Sequence, residues 1–167
     1  MKRALMAMAC AVLVGCDYAV PLAKTPAIPV DSAVAGLWQP AKTNETESLL
    51  VLPLDARQYL VSYPVGSKDA MFARACLCRA GGKTLVQLEW LGTARGTLPD
   101  SKEVFQFAAY TVKGDELTVR LLNPDVVKKD AASSEELARR IIENANKPDC
   151  FREPMLFKRA KPVNSEQ

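Results

Sequence analysis

The sequence predicts a mainly β fold: a curved antiparallel meander, or a small barrel, of about eight strands with one C-terminal helix packed on it. Three observations predict it. Apolar and polar residues alternate at period two over short stretches such as Gln58–Tyr63 and Thr84–Leu91. Two glycine-bearing turns, Arg79-Ala80-Gly81-Gly82-Lys83 and Lys113-Gly114-Asp115, separate such stretches at hairpin spacing. One segment only, late in the chain, carries a strong helical period.

The elements follow in chain order. Val34–Gln39 is the first strand, and Ser48–Leu54, a nearly continuous apolar run, is the second. Leu54-Asp55-Ala56-Arg57 turns the chain into Gln58–Tyr63, where Tyr59, Val61 and Tyr63 share one face. Met71–Cys78 and Thr84–Leu91 flank the first glycine turn, with Val86, Leu88 and Trp90 on one face. Glu103–Val112 and Glu116–Leu122 flank the second, with Leu117, Val119 and Leu121 on one face. Asn123 followed by Pro124 suits an N-cap and first helical position, so a short helical turn is expected through Lys129. Ser133 to Ala145 is the helix. Ser133 and Glu136 have capping-box spacing, and Leu137, Ala138, Ile141, Ile142 and Ala145 form its apolar stripe. Arg139, Arg140 and Glu143 lie outside that stripe, on a solvated face able to meet acidic lipid headgroups. Pro148 stops the helix, Met155–Arg159 closes the fold as a last short strand, and residues 161–167 read as a flexible tail. The folded domain is thus expected over residues 34–160.

Closing such a meander into a barrel removes its exposed edges. Here a family resemblance enters. Gly36-Leu37-Trp38 is similar to the Gly-x-Trp of the first strand in lipocalin-like proteins. The resemblance implies that Trp38 plugs one end of a barrel and that a basic residue of the last strand, Lys158 or Arg159, packs over it. Trp38, Trp90, Phe105, Phe107, Tyr59 and Tyr63 then either form core, the more frequent fate, or line a pocket for an apolar ligand.

The N-terminus carries a different signal. Lys2 and Arg3 precede an apolar run from Ala4 to Val14. A run of that length falls short of the about 20 residues that span a hydrocarbon core and suits a cleaved signal peptide, residues 1–15. Leu13-Val14-Gly15-Cys16 follows, and it resembles the lipobox of bacterial lipoproteins. The resemblance implies acylation of Cys16, which becomes the mature N-terminus, and a localisation on the periplasmic face of the bacterial inner membrane. There Asp17 resembles an inner-membrane retention signal. One acyl chain holds a protein only marginally, at about 0.8 kcal/mol per buried methylene, so the two or three chains of a lipoprotein cysteine anchor it durably. Pro21, Pro26 and Pro29 make residues 16–33 read as an extended tether, of which roughly 15 residues at about 3.1 Å each would hold the domain some 45 Å from the lipid.

Composition narrows the functions. Without Lys2 and Arg3 the 22 basic residues fall to 20 against 19 acidic ones, and no basic face for nucleic acid is visible. The sequence contains no histidine, which excludes Ser-His and Cys-His nucleophiles and histidine-based zinc sites. No glycine-rich phosphate loop is present, and no catalytic residue, cofactor site or metal site is assigned.

Cys10 leaves with the signal peptide and Cys16 is acylated, which leaves Cys76, Cys78 and Cys150. Cys76 and Cys78 sit two apart on one strand face, with Cβ atoms roughly 6 to 7 Å apart against the about 3.5 to 4.5 Å of a disulfide. On the oxidising side of a membrane, a bridge from Cys150 to Cys78, or to Cys76, is therefore expected. Buried thiols and a three-thiolate site for copper(I) or zinc are the competing readings.

Two functions remain open: a membrane-tethered, non-enzymatic binding or accessory module meeting an envelope protein or cell-wall component, and a carrier of a small apolar ligand. A side-chain-filled barrel favours the first and an open apolar cavity the second.

Overall fold

The computed structural model describes residues 18–42 and 44–161. Eight antiparallel strands close into a barrel in simple sequence order: β1 Gly36–Pro40, β2 Leu49–Pro53, β3 Gln58–Tyr63, β4 Met71–Ala80, β5 Lys83–Thr93, β6 Phe105–Lys113, β7 Glu116–Leu121 and β8 Met155–Arg159. The β1–β8 pairing that completes it sets Trp38 opposite Arg159 and Gln39 opposite Lys158. The architecture is the lipocalin-like barrel with a single helix, α1 (Ser134–Asn144), inserted between β7 and β8.

Local chemistry explains the turns. Ala80 pairs with Lys83 across a two-residue turn in which Gly81 and Gly82 have φ of +59° and +71°, the mirror-image turn that suits the right-handed twist of a hairpin. A Cβ on Gly81 would also come within 3.2 Å of the Ala145 Cβ at the end of α1, so glycine serves both the turn and the helix contact. Ser133 caps α1 by accepting from the Glu136 amide at 3.1 Å. The Glu136 carboxylate reaches back to the amide of Ala132, one residue earlier than a capping box requires. After β7, Asn123 does start a turn, its carbonyl accepting from the amides of Val126 and Val127, but the turn does not continue as a helix.

The side-chain alternation sorts the wall into two cores. One fills the barrel: Trp38, Val51, Tyr59, Val61, Ala73, Ala75, Leu77, Leu88, Trp90, Leu117 and Phe157. Register shows how the volume is shared. Ala73 lies opposite Trp90, and Ala75 lies between Tyr59 and Leu88, so small residues on β4 make room for the rings beside them. The second core lies outside, where Cys78, Ala80, Leu85 and Phe107 meet Leu137 and Ile141 of α1 together with Leu122, Val127, Cys150 and Phe151. Strands β4 to β6 are therefore buried on both faces over part of their length, which is why Met71–Cys78 reads as an apolar run and not as clean alternation.

Several expectations change. Ile142, placed in the helix stripe, is 56% exposed, whereas Leu137 and Ile141 are the fully buried apolar residues of α1. Arg140 is not a free solvated cation: its guanidinium donates to Asp130, to Glu136 at 2.7 Å and to the Lys128 carbonyl at 2.9 Å, tying α1 to the loop before it. The aromatic residues do not gather in one pocket; Trp38, Trp90 and Tyr59 are inside the barrel, whereas Phe105 and Phe107 are in the outer core. The free tether is replaced by packing, since Tyr18 is fully buried and the chain from Tyr18 to Asp31 lies against the barrel. Domain packing thus starts at Tyr18 and not near Val34. Cys16, Asp17, the expected signal peptide and residues 162–167 lie outside the described residues.

Candidate functional site

Two features give the barrel its character: a sealed end and a strapped wall. At the sealed end, strand parity points Trp38 inward from β1 and Arg159 inward from β8, while Lys158 faces out. The Arg159 guanidinium sits 4.2 Å over the Trp38 ring, a cation–π contact with the ring fully buried. Its two terminal nitrogens donate at 2.8 Å to the carbonyls of Ala35 and Ala33, and the Trp38 indole N–H donates at 2.8 Å to the Val34 carbonyl. One arginine thereby ties the last strand to the segment entering the first. Gly36 is required between them. Its φ is +133°, and a Cβ there would stand 2.9 Å from Arg159 Nη1. The Gly-x-Trp spacing anticipates this unit, and of the two basic candidates Arg159 fills the role.

The strap is residues 18–31. The Tyr18 backbone exchanges hydrogen bonds with Phe105 at 3.1 and 3.0 Å, and its hydroxyl donates at 2.8 Å to the Val127 carbonyl. The chain then crosses to Gln87 on β5. The Gln87 side-chain oxygen accepts from the amides of Leu22 and Ala23, and its nitrogen donates to the Ala23 carbonyl, so a single amide clamps the strap at three points. Farther on, the Val30 amide donates to the Ala56 carbonyl. Asp31 then settles over the sealed end: the hydroxyls of two inward-facing tyrosines meet there, Tyr110 donating to the Asp31 carboxylate at 3.0 Å and Tyr59 accepting from the Asp31 amide. Burial and the neighbouring carboxylate raise the pKa of Tyr110, and burial raises that of Tyr59. Sequence reasoning missed Tyr18, Gln87, Asp31 and Tyr110. Each is a lone polar or aromatic residue in an unremarkable context, and its role exists only once the strap is laid down.

Between strap and wall lies a groove of about 330 Å³ bordered by Pro21, Lys24, Gln58, Arg74, Gln87 and Glu89. Arg74 and Glu89 face each other across β4 and β5 and are paired at 3.1 Å, so its two strand charges neutralise each other. Two further surface cavities lie at the loops beside α1 and after β7. The Glu47 carboxylate accepts from the Tyr63 hydroxyl at 2.6 Å.

The bridge expected from Cys150 to Cys78 or Cys76 is not formed: Cys76, Cys78 and Cys150 are free, buried thiols. Cys78 donates to the Leu85 carbonyl and Cys76 accepts from Gln87, while Cys150 is packed in the outer core. Cys76 and Cys78 do share the outer face of β4, as their spacing implied. Among the described residues no group of three or more acidic, cysteine or histidine side chains is placed to hold a metal ion. Burial pushes the Cys78 thiol up to about 12 and raises the other two as well. A thiol raised above its unfolded value of about 9 contributes stability that is complete below pH 9 and is lost as pH rises toward 12. The melting temperature is accordingly expected to fall between pH 9 and 11 more steeply than in a Cys78→Ala variant; parallel curves for the two proteins would remove Cys78 as the cause. In denatured, unreduced protein Cys76, Cys78 and Cys150 should each react with a thiol reagent, and in native protein only slowly, whereas Cys150 and one of the other two failing to react on denaturation would restore the bridge.

Comparison with family models, curated proteins and solved structures finds no match to the chain. The class is therefore defined by the architecture itself: a closed, eight-stranded, lipocalin-like barrel with its interior filled and its wall strapped by the N-terminal segment.

Proposed function

We propose that this chain is a membrane-tethered, non-enzymatic lipoprotein of the bacterial envelope, facing the periplasm, whose barrel works as a binding or accessory module through its outer surface. The observation that carries the choice over a ligand carrier is the packed interior, where Trp38, Tyr59, Trp90, Leu88, Leu117 and Phe157 occupy the space an apolar ligand would need. The tether rests on Leu13-Val14-Gly15-Cys16. No helix among the described residues is long and apolar enough to cross a membrane.

Fractionation of a Cys16→Ala variant tests the anchor. Wild-type protein is expected in the membrane pellet with acyl mass on Cys16, and the variant in the soluble fraction; a variant that still pellets overturns the reading. In a host that retains lipoproteins by the residue after the cysteine, Asp17→Ser is expected to move the protein to the outer membrane, and an unchanged density-gradient profile would deny Asp17 that role. Native mass spectrometry of protein from its own envelope should show no co-purifying apolar ligand, and a stoichiometric lipid would favour the carrier.

A further inference from the structure

We propose that the barrel is held directly on the bilayer, with the surface around Tyr18 facing the lipid, and does not swing on a linker. The inference rests on acylation of Cys16 and commits to the membrane as the occupant of that surface. It follows from where the folded body ends. Tyr18 is fully buried, paired through its backbone to Phe105 at the start of β6 and hydrogen-bonded to Val127 through its hydroxyl. One residue, Asp17, separates it from Cys16, and the two steps of extended chain from Tyr18 to Cys16 cover at most about 7 Å. The acyl chains therefore enter the membrane within one side-chain length of the barrel wall, and the wall must lie at the headgroups.

The surface at that point suits the location. It is built by the end of the β5–β6 loop, with exposed Lys102, and by the loop after β7, with exposed Lys128 and Lys129. Glu103 is engaged by Lys129 at 3.6 Å and Asp130 by Arg140, so Lys102 and Lys128 remain to meet acidic headgroups. The β5–β6 loop also presents Leu98, which is 73% exposed. The far end of β6, at Lys113, lies eight residues from Phe105, about 26 Å along the strand. The outer faces of β1 and β2, with exposed Leu37 and Leu52, carry no part of the outer core.

The test uses the full-length acylated protein in vesicles of phosphatidylethanolamine and phosphatidylglycerol containing a headgroup-nitroxide lipid. A fluorophore is placed at Lys102→Cys, Lys128→Cys or Lys113→Cys; the three native thiols of the domain are buried and stay unlabelled. Quenching is expected to be at least about threefold stronger at positions 102 and 128 than at 113. Inserting about ten Gly/Ser residues between Asp17 and Tyr18, a linker of roughly 17 Å mean reach, should reduce quenching at positions 102 and 128 toward the value at 113. Equal quenching at all three positions in vesicle-bound protein, or no effect of the insertion, overturns the proposal. Protein that fails to float with the vesicles and lacks acyl mass on Cys16 overturns the anchoring reading itself, so the two failures are told apart.

Discussion

Trp38→Ala is expected to lower the melting temperature of the domain by about 10 to 20 °C. Truncating a fully buried tryptophan costs roughly 3 to 5 kcal/mol, and each kcal/mol shifts a domain of this size by about 3 to 4 °C. The site offers little relief. The ring is 0% exposed, Arg159 stacks on it, and its N–H satisfies the Val34 carbonyl. Removing it unseals the barrel end and leaves the guanidinium over a void. Trp38→Phe keeps a ring under Arg159 and loses the hydrogen bond, so a smaller fall is expected. Thermal unfolding followed by circular dichroism checks both; a loss of only a few degrees for Trp38→Ala would mean that Asp31, Tyr59 and Tyr110 seal that end unaided.

Tyr18→Ala is expected to cost about 3 to 4 kcal/mol and to free the strap. The side chain is fully buried, packs edge-on against Phe107 at 5.2 Å and holds the Val127 carbonyl. Trypsin supplies the second readout. Lys24 lies on the strap with an exposed side chain and only a loose 3.9 Å pairing to Glu135. In the wild type the strap backbone beside it is held by Gln87, which should slow cleavage; in Tyr18→Ala cleavage after Lys24 should accelerate several-fold. Gln87→Ala is expected to give the same proteolytic signature at a smaller stability loss, about 1 to 3 kcal/mol, because it strands the Leu22 and Ala23 amides without collapsing a core. Unchanged cleavage in both variants would show that the strap holds elsewhere.

Much of the architecture is legible in the sequence. Gln58–Tyr63 and Met155–Arg159 were delimited to the residue, and the remaining strands to within two or three. The reason is local: a half-buried strand must alternate, and a two-residue hairpin must place glycine where φ is positive. The late helix was legible through Ser133 and the spacing of Leu137 and Ile141. The likeness of Gly36-Leu37-Trp38 to the lipocalin-like motif pointed to a basic residue over the ring, Lys158 or Arg159, and the strand register selects Arg159.

The set of elements and the parity of their faces were local matters, since both depend on neighbours in the chain. Docking, thiol pairing and the filling of the barrel depend instead on contacts between residues far apart in the chain. Prolines and sparse periodicity mark residues 16–33 as extended, but extension does not say whether a chain is free or docked; the docking depends on Gln87 and Phe105, more than 60 residues away. Parity could place Cys76 and Cys78 on one face, but it gave no distance to Cys150, and the three thiols are satisfied separately by packing. Whether an eight-stranded barrel is hollow or full is likewise a question of summed side-chain volume around a closed circuit. Here Ala73 and Ala75 admit Trp90 and Tyr59 to the centre, and no local pattern reports that sum.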